Sequence, residues 1–382
     1  MDCDWFFFSF WSRYKRGIIG NFSWLGLNGV GVDPNPDYAA TIPALLFMAF
    51  QMMFAIITTA LISGAIAERM RFSAYLLFIT IWSLFAYNIA AHWVWGMGGW
   101  IRTLGALDFA GGTVVHILSG VSALVAALIL GKRNKRNNEQ FVPHNIPMTV
   151  LGAGILWFGW FGFNAGSALG ANGLAALAFV NTNTAAAVAA LGWLAIEWMH
   201  NGKPTTVGAV SGAVAGLVAI TPAAGFVTPM ASILIGFLGG VICYFAVAVA
   251  KAKLGYDDAL DAFGIHGIGG TWGAIATGLF ATKAVNAAGA DGLFYGGDLL
   301  SKQFVAIGAT YALAIVSTFV ILKAIYLFIP LRATQEEEDY GLDVSLHGED
   351  AYRDYSVGGA ALFDSATFAA APSLASEKVS IN

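Results

Sequence analysis

The 382 residues are 58% hydrophobic and 11% charged and include 46 glycines, which excludes a soluble globular domain and leaves a polytopic membrane protein. The formal net charge of -4 says little, since acidic residues gather in the tail after Arg332, and nothing points to nucleic acid. Cys3 and Cys243 cannot build a disulfide framework or a thiolate metal site.

Taken in chain order, Trp5 to Trp11 is aromatic but too short to span a bilayer, and the basic cluster of Arg13, Lys15 and Arg16 follows it rather than preceding it. That is the reverse of a signal peptide's order. Asn21 to Tyr38, punctuated by Gly26, Gly29, Gly31, Pro34 and Pro36, predicts an irregular loop. Residues 1–41 are therefore expected to form an atypical N-terminus and an outer loop. From 42 to 330 nine membrane-length apolar segments follow, at 42–66, 73–94, 109–130, 147–166, 173–196, 206–222, 229–250, 264–282 and 303–329. Most approach the ~20 residues that a spanning helix requires, and their Gly and Ala content suits close helix packing.

Arg69 and Arg71, the cluster from Lys132 to Arg136, Lys203, Lys251 and Lys253, and Arg332 fall in alternate connections, while the others hold only Arg102, Lys283 and Lys302. The positive-inside rule makes the first set cytoplasmic. Residues 331–382 then form a cytoplasmic tail, acidic at Glu336 to Asp339, whose early part is expected to fold onto the membrane domain and whose last ~25 residues are expected to be disordered.

Two stretches lead an acid into a Gly-rich span and deliver a histidine near its start: Asp108 to His116, and Asp261 to His266. A histidine inside a span is costly and by default functional. The plain alternative is that each imidazole bonds a backbone carbonyl and pins two helices. His92, His144, His200 and His347 lie at segment ends, in loops or in the tail, where solvated histidines need no special role. Asp108 and Asp261 are expected to cap helix N-termini. They sit at opposite membrane faces, the signature of an inverted repeat with a site near the midplane. Of the aromatics, Trp93, Trp100, Trp157 and Phe161 suit an interfacial belt. Trp95 with Ser167 suits a small cation, held by an indole face and a hydroxyl.

Asp108 to His116, Gln51 to Phe54, Ala67-Glu68-Arg69, Trp160 to Ser167, Asp257 to His266 and Gly341 to Gly348 together resemble the ammonium transporter family, Amt/Mep/Rh, on its prokaryotic side. The resemblance runs from Gly17 to Tyr352. It implies an all-α inverted-repeat bundle with a central pore, and a transporter rather than an enzyme, without a cofactor. It also implies ammonium recruitment at Trp95 and Ser167, a gate at Phe54 and Phe163, and pore histidines at His116 and His266. Asp108, Trp160, Asn164 and Asp261 are then pore-supporting. The family implies a homotrimer in the plasma membrane, methylammonium as a substrate analogue, and a PII-type signalling protein as a partner of the tail. Its members have eleven spans; this chain is expected to lack the first two, with Gly17 to Asn28 resembling the loop after the second. An ammonium sensor, an inactive fragment, and a metal or haem protein with the two histidines as axial ligands are the competing readings.

Overall fold

The computed structural model describes residue 20, residues 23–134 and residues 143–349. The aromatic stretch at Trp5 to Trp11, the cluster at Arg13 to Arg16, and the final ~25 residues expected to be disordered lie outside the described residues.

Each of the nine apolar segments forms a helix, with ends close to the predicted ones. They are α1 (Ala44–Ile66); α2, residues 72–95, in which Phe72–Trp82 passes through a π-turn at Ser83–Tyr87 into Asn88–Trp95; and, after the short α3 (Trp100–Leu104), α4 (Gly112–Leu130). Then come α5 (Ile146–Gly166), α6 (Gly173–Asn201), α7 (Thr206–Ile220) and α8 (Pro229–Leu254). The set closes with α9, residues 263–280, and α10 (Leu299–Tyr326). Among the described residues seven helices are long and apolar enough to cross a membrane, with 72–104 counted as one. Helix α7 has only 15 residues, as its short apolar segment foretold.

Helix starts follow side-chain chemistry. Asn145, Asn172, Thr205 and Thr228 each accept a backbone N–H from the first turn of α5, α6, α7 and α8, which satisfies donors that have no partner within the helix. Proline stands in the first turn of α5 and of α8, where its missing N–H costs nothing.

The loop expected over 21–38 is more ordered than its composition suggests. It holds a 3-10 turn at Leu25–Leu27, and β1 (Pro34–Asn35) pairs antiparallel with β2 (Ala39–Pro43) just before α1. Two prolines in so short a ladder hid it from a propensity reading.

Helices α4 and α9 run antiparallel through the centre. They touch where a Cβ on Gly120 would lie 2.2 Å from the Gly267 nitrogen, so only glycine permits this crossing. Arg133, just beyond the end of α4, grips Asp257 ahead of α9 through two guanidinium nitrogens and its own backbone N–H. The bundle end with Arg133 also gathers Arg69, Arg71, Lys251 and Arg332, members of the predicted cytoplasmic set. There the early tail docks through α11 (Gln335–Tyr340): Arg71 bonds Glu337 at 2.9 Å, Arg332 bonds Glu338, and His347 packs edge-on to Phe72.

Candidate functional site

The site is a file of rings. Phe54 of α1 is 1% exposed, with its centroid 4.4 Å from that of Phe163 on α5 and 5.6 Å from that of Trp95 at the end of α2. Phe163 lies 6.0 Å from the His116 ring, and His116 lies 5.2 Å from His266, both nearly parallel. Trp160 stacks on His116 at 5.3 Å. The Nδ1 atoms of the two histidines are 3.2 Å apart, a hydrogen bond that requires one to donate and the other to accept. The Nε2 of His116 is buried and unpartnered.

That geometry leaves no room for a metal held axially between the two Nδ1 atoms. Two metal–nitrogen bonds of about 2 Å each would hold ligand atoms on opposite sides of a metal ~4 Å apart, and these nitrogens are closer, bonded to one another.

How each histidine is held repeats in both halves. Asp108 accepts the N–H groups of Gly111, Gly112 and Thr113, each at 2.7 Å, and the Thr113 hydroxyl. Gly111 has a φ of 111°, and a π-turn at Gly112–Ile117 carries His116 inward. In the second half the cap falls to Asp258, which accepts from Ala262 at 3.0 Å and Phe263 at 2.7 Å. Asp261 stands where Gly111 stands, with a φ of 59°, and a π-turn at Phe263–Gly267 carries His266.

The expectation that Asp261 caps this helix is thus corrected. Its left-handed backbone turns the chain into α9, and its carboxylate accepts from Lys251 at 2.7 Å. The signal was present in the sequence: each true cap precedes its histidine by eight residues, Asp108 to His116 and Asp258 to His266. Burial pushes the Asp258 carboxyl up to about 6, against the pull of the Phe263 N–H.

On the other side Trp160 donates to the Thr221 hydroxyl at 3.0 Å, Thr221 bonds Asn164, and Asn164 donates to Thr182 at 2.9 Å. This buried chain fixes the ring lying over His116. Thr221 and Thr182 were not anticipated, since a lone threonine in an apolar run has no distinguishing pattern. Phe50 was also missed: one helical turn before Phe54, it packs edge-on to it at 4.9 Å.

At the mouth, the Trp95 indole donates to the Asp108 carbonyl at 2.9 Å, and Ser167 donates to the Phe163 carbonyl at 2.8 Å. The serine's proton is thereby engaged and its lone pairs are left to accept. The terminal histidines differ from expectation in one case. His92 is fully buried, because the chain turns back over it through Gly96, whose Cβ would lie 2.5 Å from its Nδ1.

Residues 5–352 match the model of the Ammonium Transporter Family. The chain belongs to that family. It is 62% identical over 353 residues to an ammonium transporter of Bacillus subtilis, covering 92% of this chain and 86% of that one. It is 54% identical to an ammonium transporter of Aquifex aeolicus, over 88% of this chain and 78% of that one. The crystal structure of Candida albicans Mep2 superposes with a TM-score of 0.81 at 37% identity, over 87% of this chain and 75% of that chain. The fold is that of the family's transporters, and the chain is a multi-pass membrane protein.

Proposed function

We propose that this chain carries ammonium across the plasma membrane, binding the ion at Trp95 and Ser167, shedding a proton near Phe54 and Phe163, and passing ammonia along His116 and His266. The observation that carries this is the unbroken ring file from Phe54 through Phe163 and His116 to His266. An intact cation entering such an apolar passage faces an idealised cost of tens of kcal/mol, against about 2 kcal/mol from a desolvated cation–π contact. Holding an amine with a lysine-like pKa neutral at pH 7 costs only roughly 3–5 kcal/mol. Phe54 and Phe163, 4.4 Å apart, close the passage at rest, so their rings must part for each molecule.

Within the file the paired histidines offer ammonia one lone pair and one N–H donor, whichever tautomer holds, because their shared Nδ1 proton fixes opposite roles at the two Nε2 atoms. Only an exchangeable N–H bond breaks and re-forms, and the substrate leaves chemically unchanged, so the role is transport and not catalysis. Basic residues at the tail end support a cytoplasmic C-terminus. Helix α5 supports assembly with further copies as a homotrimer: only Trp160 and Asn164 are buried along it, and Gly152, Gly154, Gly159 and Gly162 face open space. The docked tail is the surface on which a PII-type partner would act.

Methylammonium uptake into proteoliposomes tests the proposal. His116→Ala and His266→Ala should each lower uptake by at least tenfold while the protein stays monodisperse. Wild-type uptake in both variants would sink it. Substrate-dependent release of a tail partner with negligible uptake in the wild type would install the sensor reading instead.

A further inference from the structure

Arg102 is an unexpected cation at the mouth of a cation pathway. It lies in the last turn of α3, which is anchored by the fully buried Ile101, and its Nη1 donates to the Trp95 carbonyl at 2.5 Å. The other basic residues of the same end have acids close by: Lys302 bonds Asp298 at 2.8 Å, and the Lys283 backbone N–H bonds the Asp291 carboxylate at 2.8 Å. Among the described residues no carboxylate lies within ion-pair distance of Arg102. Among the described residues its charge thus has no ion-pair partner, and it is tied to the residue whose indole packs against Phe54.

We propose that Arg102 is a specificity-determining residue of the outer site, whose fixed positive charge weakens capture of the ion at Trp95 and drives the bound ion to give up a proton. This rests on the reading of Trp95 and Ser167 as the recruitment site. A positive neighbour disfavours the protonated form of an amine and leaves its neutral form untouched. One N–H bond of ammonium breaks, its electron pair stays on nitrogen, and the proton passes to water at the outer mouth; the ammonia left behind enters between Phe54 and Phe163. Arg102 bonds the carbonyl of the indole-bearing residue itself, and a separation of ~8 Å, the Debye length at physiological ionic strength, sets the scale of the effect. Two unit charges at that separation in a water-like medium alter an equilibrium about two- to threefold.

The charge and the hydrogen bond can be separated. Arg102→Gln keeps a donor for the Trp95 carbonyl and loses the charge; Arg102→Lys keeps the charge and loses the planar fork. Methylammonium uptake in proteoliposomes is measured as KM and maximal rate at low salt and at about 1 M salt, where the Debye length falls to ~3 Å. At low salt Arg102→Gln should lower KM about two- to threefold and lower the maximal rate with it, the mark of removed ground-state destabilisation. Arg102→Glu should exceed it in both, Arg102→Lys should match the wild type, and the differences should vanish at high salt.

A raised KM in both the Gln and Lys variants would reduce Arg102 to a brace for Trp95 and overturn the proposal, as would no change in Gln. Trp95→Ala separates the two layers. If it raises KM while the Arg102 variants behave like the wild type, only the charge proposal fails; if it leaves KM unchanged, the recruitment site itself is wrong.

Discussion

Asp108 and Asp258 do the same work at opposite ends of the bundle, and their loss should cost alike. Each satisfies backbone donors at a helix start that water cannot reach. A buried donor left unsatisfied costs about 1–3 kcal/mol. Asp108→Ala and Asp258→Ala should therefore each lower the melting temperature of the detergent-solubilised protein by several degrees. Asp261→Asn should have little effect, because its bridge to Lys251 is partly exposed, such pairs contribute about 0–1 kcal/mol, and asparagine tolerates the left-handed backbone. A melting curve in which Asp261→Asn is the most damaging of the three would refute this division. At this scale the histidines and Asp108 were legible in the sequence, because a polar side chain in an apolar run stands out. Asp258 was harder to pick out, since three acids crowd within five residues and only the eight-residue spacing to its histidine, shared with Asp108 and His116, marks it as the cap.

At the scale of elements, nine helices could be counted from hydropathy alone, with ends close to those of the structure. Their internal irregularities could not. The π-turns at Gly112–Ile117 and Phe263–Gly267 arise where a cap and a positive-φ residue set the register of the following turn, and hydrophobic pattern does not encode register. These turns aim the two histidines at one another. The crossing of α4 and α9 at Gly120 and Gly267 sets how far apart those turns stand. Gly120→Ala puts a methyl group against the Gly267 backbone and must separate the helices. We expect it to cut methylammonium uptake at least tenfold while leaving the helical circular-dichroism signal in place. Wild-type uptake would mean that the crossing distance does not set the site.

For the whole molecule, Arg69, Arg71, Arg133, Lys251 and Arg332, all picked out by loop alternation, converge on one end, and the acidic tail closes over it. The alternation was legible because it is a property of sequence position; the partners of Arg71 and Asn134 in the tail were not, since these pairs join segments 266 and 204 residues apart. The Thr334 backbone N–H, and after it the Arg71 guanidinium, hold Glu337 below the usual carboxylate range. A carboxylate held down in this way stabilises docking above the ordinary glutamate range, and that contribution is lost as pH falls through the lowered value. Limited proteolysis of the tail should therefore accelerate only under acid conditions, and Arg71→Ala should shift the acceleration toward neutral pH. An unchanged profile in Arg71→Ala would remove this ion pair from the account of docking.

The central claim is that the substrate crosses the ring file without its charge. Potassium separates this from passage of an intact ion, because it is a monovalent cation that has no proton to lose. Flux of potassium and of ammonium through the reconstituted protein, measured at equal concentration in the same proteoliposomes, is the direct test. The account predicts rapid ammonium uptake with potassium flux at the level of protein-free liposomes; potassium crossing at a rate comparable to ammonium would contradict it.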